Sequence, residues 1–158
     1  MEVTFDQIRA MNLAPLQVVK DRHVRARRAT LGEKVTTYAY HPSSSSLFVE
    51  THLEVREEGS WVVTQEIATP EGTYHNEYIV VDRKFQNLYE EVGDGTYRPK
   101  QNGTKVVYQV TEDLEFPYPT FWGQPGLFIL KAGGYLVPED GEYYGINKYE
   151  FEATHSFL

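Results

Sequence analysis

From Val35 onward the chain alternates apolar and polar residues with a period of two, broken every eight to twelve residues by turn formers. Leu47, Val49, Thr51, Leu53 and Val55 alternate with Phe48, Glu50, His52, Glu54 and Arg56, the signature of a half-buried strand. Val35–Tyr40, Trp61–Thr69, Thr73–Asp82, Phe85–Val92, Thr104–Thr111, Gly126–Ala132 and Glu142–Leu158 read as further strands. Glu57-Glu58-Gly59-Ser60, Pro70-Glu71-Gly72 and Gly93-Asp94-Gly95 supply turns, and Asn102-Gly103 is a strong hairpin signal because both residues tolerate positive φ. In the last segment Tyr143, Tyr149, Phe151, Ala153, His155 and Phe157 share one parity, and a bulge near Gly145 is expected to bend so long a strand.

The first 34 residues carry a different pattern. Thr4-Phe5-Asp6-Gln7 has capping-box spacing, with Val3 and Ile8 at the staple positions, and predicts a helix from Phe5 to Asn12. Pro15 is suited to a first helical position, and the reading extends a second helix to Ala29, stopped by Gly32. Val24 and Ala26 alternating with arginines leave an edge strand as the other reading of that stretch. The predicted fold is therefore mainly β: an antiparallel up-and-down β-barrel or strongly curved sheet, of calycin or lipocalin-like architecture, with one or two short N-terminal helices.

With 158 residues the chain is expected to be a single domain, 1–158, divided into a basic helical lead (1–34) and an acidic, aromatic body (35–158). The lead holds seven of the 15 basic and four of the 23 acidic residues, a net of +3, and the body holds the rest, a net of −11. The total of −8 argues against nucleic acid or an anionic membrane as partner. No cysteine is present, which excludes thiol nucleophiles and Cys-ligated zinc. The five histidines lack metal-ligand spacing, and no phosphate, dinucleotide or nucleophile-elbow motif occurs, so no cofactor is expected. No apolar run reaches membrane-spanning length and the first residues lack a signal peptide's basic start, so a cytoplasmic location is expected.

The candidate chemistry lies in the aromatics. Twelve tyrosines stand against eight phenylalanines. Gln65, Tyr74, Asn76, Tyr78, Tyr108 and Phe151 fall on expected inward parities, where rings supply contact area and polar tips fix orientation. His155, with Tyr149, is the candidate acid–base group, and an imidazole among these rings is expected to be neutral. Residues 114–125 hold three prolines and four aromatics, and are read as an ordered connection, lid or plug, whose Phe121 and Trp122 contact a ligand or a second copy in a homodimer. His75 and Glu77 read as a solvated pair, and the basic run from Lys20 to Arg28 as docking on the chain's own acids.

Gly59-Ser60-Trp61 has the Gly-x-Trp form that marks the first strand of lipocalins, here after two predicted strands and without other motifs of that family. The likeness is architectural and carries no residue roles. The leading expectation is a protein that binds a small hydrophobic or aromatic molecule in a Tyr-lined cavity. A cofactor-free isomerase, cyclase or lyase on the same scaffold, and a protein-interaction domain docking through the basic segment, are the alternatives.

Overall fold

The computed structural model describes residues 2–41, 43–100 and 104–158. Its strands are β1 (Pro15–Lys20), β2 (Val24–Arg28), β3 (Lys34–His41), β4 (Ser46–Glu54), β5 (Trp61–Thr69), β6 (Gly72–Val80), β7 (Tyr89–Gly93) and β8 (Thr96–Pro99). They continue with β9 (Lys105–Gln109), β10 (Leu114–Pro117), β11 (Leu127–Leu130), β12 (Tyr135–Glu139), β13 (Glu142–Ile146) and β14 (His155–Phe157). Three short helices accompany them: α1 (Phe5–Ala10), α2 (Asp82–Leu88) and α3 (Lys148–Thr154). The expected hairpin at Asn102-Gly103 lies outside the described residues.

All ladders between these strands are antiparallel, and they form four sheets. Two have five strands, in the orders β13-β12-β9-β1-β14 and β6-β5-β2-β8-β7, and β3-β4 and β10-β11 are hairpin pairs. No closed barrel is found among the described residues; the barrel reduces to separate sheets that meet at seams. At one seam β3 lies along β6. There side chains replace the ladder: the Asn76 carboxamide accepts from Tyr38 N at 2.8 Å and donates to Tyr38 O at 2.8 Å, and Thr37 Oγ1 donates to Glu77 O at 2.7 Å.

Helix α1 forms as its sequence predicts. Gln7 N donates to Thr4 Oγ1 at 3.1 Å, Thr4 N donates to Gln7 Oε1 at 2.8 Å, and Val3 and Ile8 are buried in one core cluster. The second predicted helix is instead β1 and β2. Val18 and Val24 are buried, the arginines of β2 are exposed, and each strand is flanked by a partner on both sides. Pro15 begins a strand, where its missing N–H is tolerated.

The long C-terminal strand is also overturned. β13 pairs with β12 in unbroken register through Gly145, with no bulge there. A Cβ on Gly145 would come within 2.5 Å of the Phe128 ring, so the glycine permits the close approach of β11. After Asn147 the chain turns into α3, whose i, i+1 and i+4 positions Glu150, Phe151 and Thr154 are buried, and re-enters the sheet at His155. Similarly, residues expected as the start of a strand at Phe85 belong to α2, which buries Phe85 against Trp61 with ring centroids 4.0 Å apart. Leu114–Pro117, expected as connection, is a strand of a two-stranded sheet, an edge position compatible with its proline.

In β4 the expected parity holds only beyond residue 50. Thr37 opposes Thr51 and Tyr38 opposes Val49, so Glu50 is the extra residue of a β-bulge. The bulge leaves Leu47 and Val49 exposed and buries Glu50 and Thr51 side by side.

Candidate functional site

The bulge and α3 bring two carboxyl groups together in the interior. Glu50 and Glu150 are both buried and lie in hydrogen-bonding contact. Two asparagines hold the outer oxygens. Asn147 Nδ2 donates to Glu50 Oε2 at 2.6 Å and to Ile129 O at 3.1 Å, while its Oδ1 accepts from Lys131 N at 2.8 Å. Asn76 Nδ2 donates to Glu150 Oε2 at 3.0 Å in addition to Tyr38 O. Both carboxamides thus have donors and acceptors engaged, which fixes their orientation.

Two carboxylates in contact away from water cannot both stay ionised. Burial pushes Glu50 up to about 7, against its bonds to Glu150 and Asn147. Glu150 is raised well above its ordinary value, first by burial and then by the charge and hydrogen bond of Glu50. The pair therefore holds a proton at neutral pH. Burial, then Glu150 and Glu50, also raise the half-buried Tyr74, whose hydroxyl donates to Tyr38 O at 3.4 Å. Among the described residues Glu150 Oε1 has no N–H or hydroxyl donor, and neither do Gln65 Oε1 and His155 Nε2, both buried.

His155 is neutral, as expected, and its tautomer follows from its neighbour. The Thr154 hydroxyl has one hydrogen, directed to Glu150 O at 2.9 Å or Phe151 O at 3.2 Å, so at 2.7 Å it accepts from His155 Nδ1–H. Nε2 is left as a bare acceptor. Burial, followed by Lys105 and Lys20, lowers the imidazole to about 2, and Phe151 stacks on it at 4.5 Å. His155 is then a hydrogen-bond acceptor rather than a proton carrier. Its NMR resonances are expected to stay those of neutral imidazole from pH 5 to 8; a midpoint near 6.5 would contradict this burial.

A second cluster is cationic. Lys20 on β1 opposes His155 on β14, and Lys105 on β9 opposes Val18 on β1. Lys20 Nζ donates to Tyr78 Oη at 3.4 Å and stands 4.9 Å from the Tyr89 ring centroid. The Tyr78 and Tyr89 hydroxyls are 3.3 Å apart. Neither Lys20 nor Lys105 forms an ion pair among the described residues, whereas Lys84 pairs with Glu139 at 2.8 Å. Burial, then Lys105 and Lys84, lowers Lys20 to about 7. Burial and Lys84, opposed by Glu139, lower Lys105 to about 8. Burial raises Tyr78 to about 12. A cleft of about 420 Å³ opens beside this cluster, lined by Lys20 together with Asp21, His23, Arg98, Lys100 and Leu158.

The structure brings together five of the expected site residues, Gln65, Asn76, Tyr78, Phe151 and His155, on elements that pack around α3 or meet Lys20. Tyr74 lies at the seam. Tyr108 is on the opposite face of its sheet, lining a cleft of about 150 Å³ with Ile8, Met11 and Tyr143. Tyr149 leaves the buried face of α3 and packs edge-on against Tyr40 at 5.3 Å. Phe121 is 39% exposed, and Trp122 packs on Tyr118 and Tyr144. The proline-rich segment straps β4: Gln124 exchanges two bonds of 2.9 Å with the Glu54 backbone, and Arg56 donates to Gly123 O at 3.0 Å. Arginines of the basic run find internal partners, Arg22 with Asp21, Arg27 with Glu33 and Arg28 with Asp82.

Glu50, Glu150, Asn147, Lys20 and Lys105 are the site residues that sequence reading passes over. Among the described residues no group of three or more acidic or histidine side chains is arranged to hold a metal ion, and no helix is long and apolar enough to cross a membrane. Comparison with known proteins finds no matching family model, no matching curated protein and no matching solved structure.

Proposed function

We propose that this chain binds a small molecule with an aromatic or apolar body and a polar, anionic or carbonyl head, at the cleft beside Lys20. The observation that carries the reading is Lys20, a residue of the cleft lining, whose ammonium rests on Tyr78 and Tyr89 with no carboxylate partner among the described residues. Leaving a desolvated amine unpaired costs free energy unless something else compensates, and perturbed amines of this kind concentrate at binding and catalytic sites. The rim carries Lys100 and Arg98, the latter paired with Glu90 at 2.6 Å, beside one acidic side chain, Asp21, and the amine of Lys20 adds a further basic group suited to a negative substituent.

The test is an amide NMR titration with 4-(hydroxymethyl)benzoate, an aromatic anion. Shifts confined to residues around Lys20, His23, Arg98, Lys100, Tyr78 and Tyr89 are the expected result. No shift at saturating probe, or shifts centred on the Ile8–Tyr143 cleft, would contradict it.

A second reading, an acid–base enzyme without cofactor, is favoured by the Glu50–Glu150 pair, because two carboxyls whose surroundings separate their protonation can act as acid and base. A carboxyl pair sealed between two asparagines lacks the open approach that the Lys20 cleft offers, so binding is the stronger reading.

A further inference from the structure

We propose that Lys20 is a carbonyl-capturing nucleophile, forming a reversible imine with an aldehyde or ketone on an aromatic body seated in its cleft. The proposal rests on the binding reading above and adds a covalent step to it. A lysine tied to a carboxylate is held protonated and cannot attack a carbonyl carbon. Among the described residues Lys20 has no such tie: its hydrogen-bond partner is the Tyr78 hydroxyl, itself in contact with that of Tyr89. The groups around the amine are Lys105 from β9, Lys84 from α2, His155 from β14, Tyr78 from β6 and Tyr89 from β7, with two acids near them, Glu139 paired to Lys84 and Asp21 in the cleft lining. Lys105 and Lys84 favour the free amine, in the same sense as burial.

The chemistry balances without a further reactant. The Lys20 nitrogen lone pair forms a bond to the carbonyl carbon, the carbonyl oxygen takes a proton, and a carbinolamine results. Loss of its hydroxyl with a second proton releases one water and leaves the C=N bond; hydrolysis reverses each step. Tyr78, bonded to the amine nitrogen, stands where a proton must pass between nitrogen and oxygen, and Tyr89 continues the relay. The Tyr78 and Tyr89 ring centroids lie 5.5 and 4.9 Å from the amine, so a carbonyl carbon bonded there meets aromatic neighbours.

The experiment uses the whole chain and 4-carboxybenzaldehyde, with borohydride added to reduce any imine to a stable amine, followed by peptide mapping. Seven lysines compete: 20, 34, 84, 100, 105, 131 and 148. The expected result is one adduct per chain, on Lys20, and Lys20→Arg, which keeps the charge, cuts trapping roughly tenfold or more. Adducts spread over the other lysines with Lys20 unmodified in the wild-type chain would overturn the proposal, whatever the variant's stability. The binding titration separates the two readings. If 4-(hydroxymethyl)benzoate shifts the cleft residues and the aldehyde leaves Lys20 unmodified, imine formation fails and binding stands. If neither occurs, both fail.

Discussion

Glu150→Gln is expected to stabilise the protein at pH 8, because it removes a buried carboxyl that the folded state holds toward its protonated form. The substitution copies the protonated form of Glu150. Its carbonyl oxygen accepts from Asn76 Nδ2 as Glu150 Oε2 does, and its NH2 faces the Glu50 carboxylate as a donor. The pH dependence follows from the direction of the shifts. A carboxyl raised in the folded state binds its proton more tightly there than in the unfolded chain, so between the ordinary value of 4.5 and the Glu50 value of about 7 the folded state holds more protons. Wild-type stability therefore falls as pH rises through that window, and the penalty is absent below it. Glu150→Gln should flatten the profile. Urea midpoints at pH 5 and 8 for both proteins measure this, and a variant less stable than wild type at both pH values would contradict the shared proton.

Asn76→Asp is expected to cost about 3–5 kcal/mol at pH 8, the range for leaving buried polar groups and a buried charge uncompensated. The Asn76 carboxamide bridges both backbone groups of Tyr38, and it also donates to Glu150. A carboxylate there accepts from Tyr38 N but has no hydrogen to offer to Tyr38 O or to the Glu150 carboxyl, and it becomes the third carboxyl of the cluster. Both the β3–β6 seam and the acid pair lose support. Because the defect is excess negative charge, lowering the pH to 5 should recover part of the loss. A loss under about 1 kcal/mol would show that the seam does not depend on this donor.

The sequence makes the β character, the antiparallel pairing and α1 legible because each rests on local signals: period-two alternation, turn residues and a capping box. His155 is legible as a buried neutral imidazole for the same reason, since its aromatic neighbours lie within a few residues. Glu50 is not. A bulge is decided by how two strands and their neighbours pack, and the alternation from Leu47 to Val55 assigns Glu50 to solvent. Glu150 is missed through a wrong period. Tyr149, Phe151, Ala153 and His155 alternate like a strand, yet Lys148–Thr154 is also rich in helix formers, with Asn147 at the cap position. That cap signal was available in the sequence, although the Asn147 side chain does not cap the helix: it bonds Glu50, Ile129 and Lys131 instead. Lys20 escapes because Pro15 and Leu16 suggest a helix, and only its pairing partners turn it toward Tyr78 and Tyr89.

These misplaced residues share a physical theme. The interior holds carboxyls shifted toward the protonated form and amines shifted toward the free base, so burial drives both kinds of group toward neutrality. The most direct measurement is a 13C NMR titration of the glutamate side-chain carboxyls, with Glu50 and Glu150 assigned through their Gln variants. One of the two is predicted to remain protonated at pH 7 and the other to titrate near 7. If both Glu50 and Glu150 ionise at the ordinary carboxyl value of 4.5, the buried proton-sharing pair does not exist.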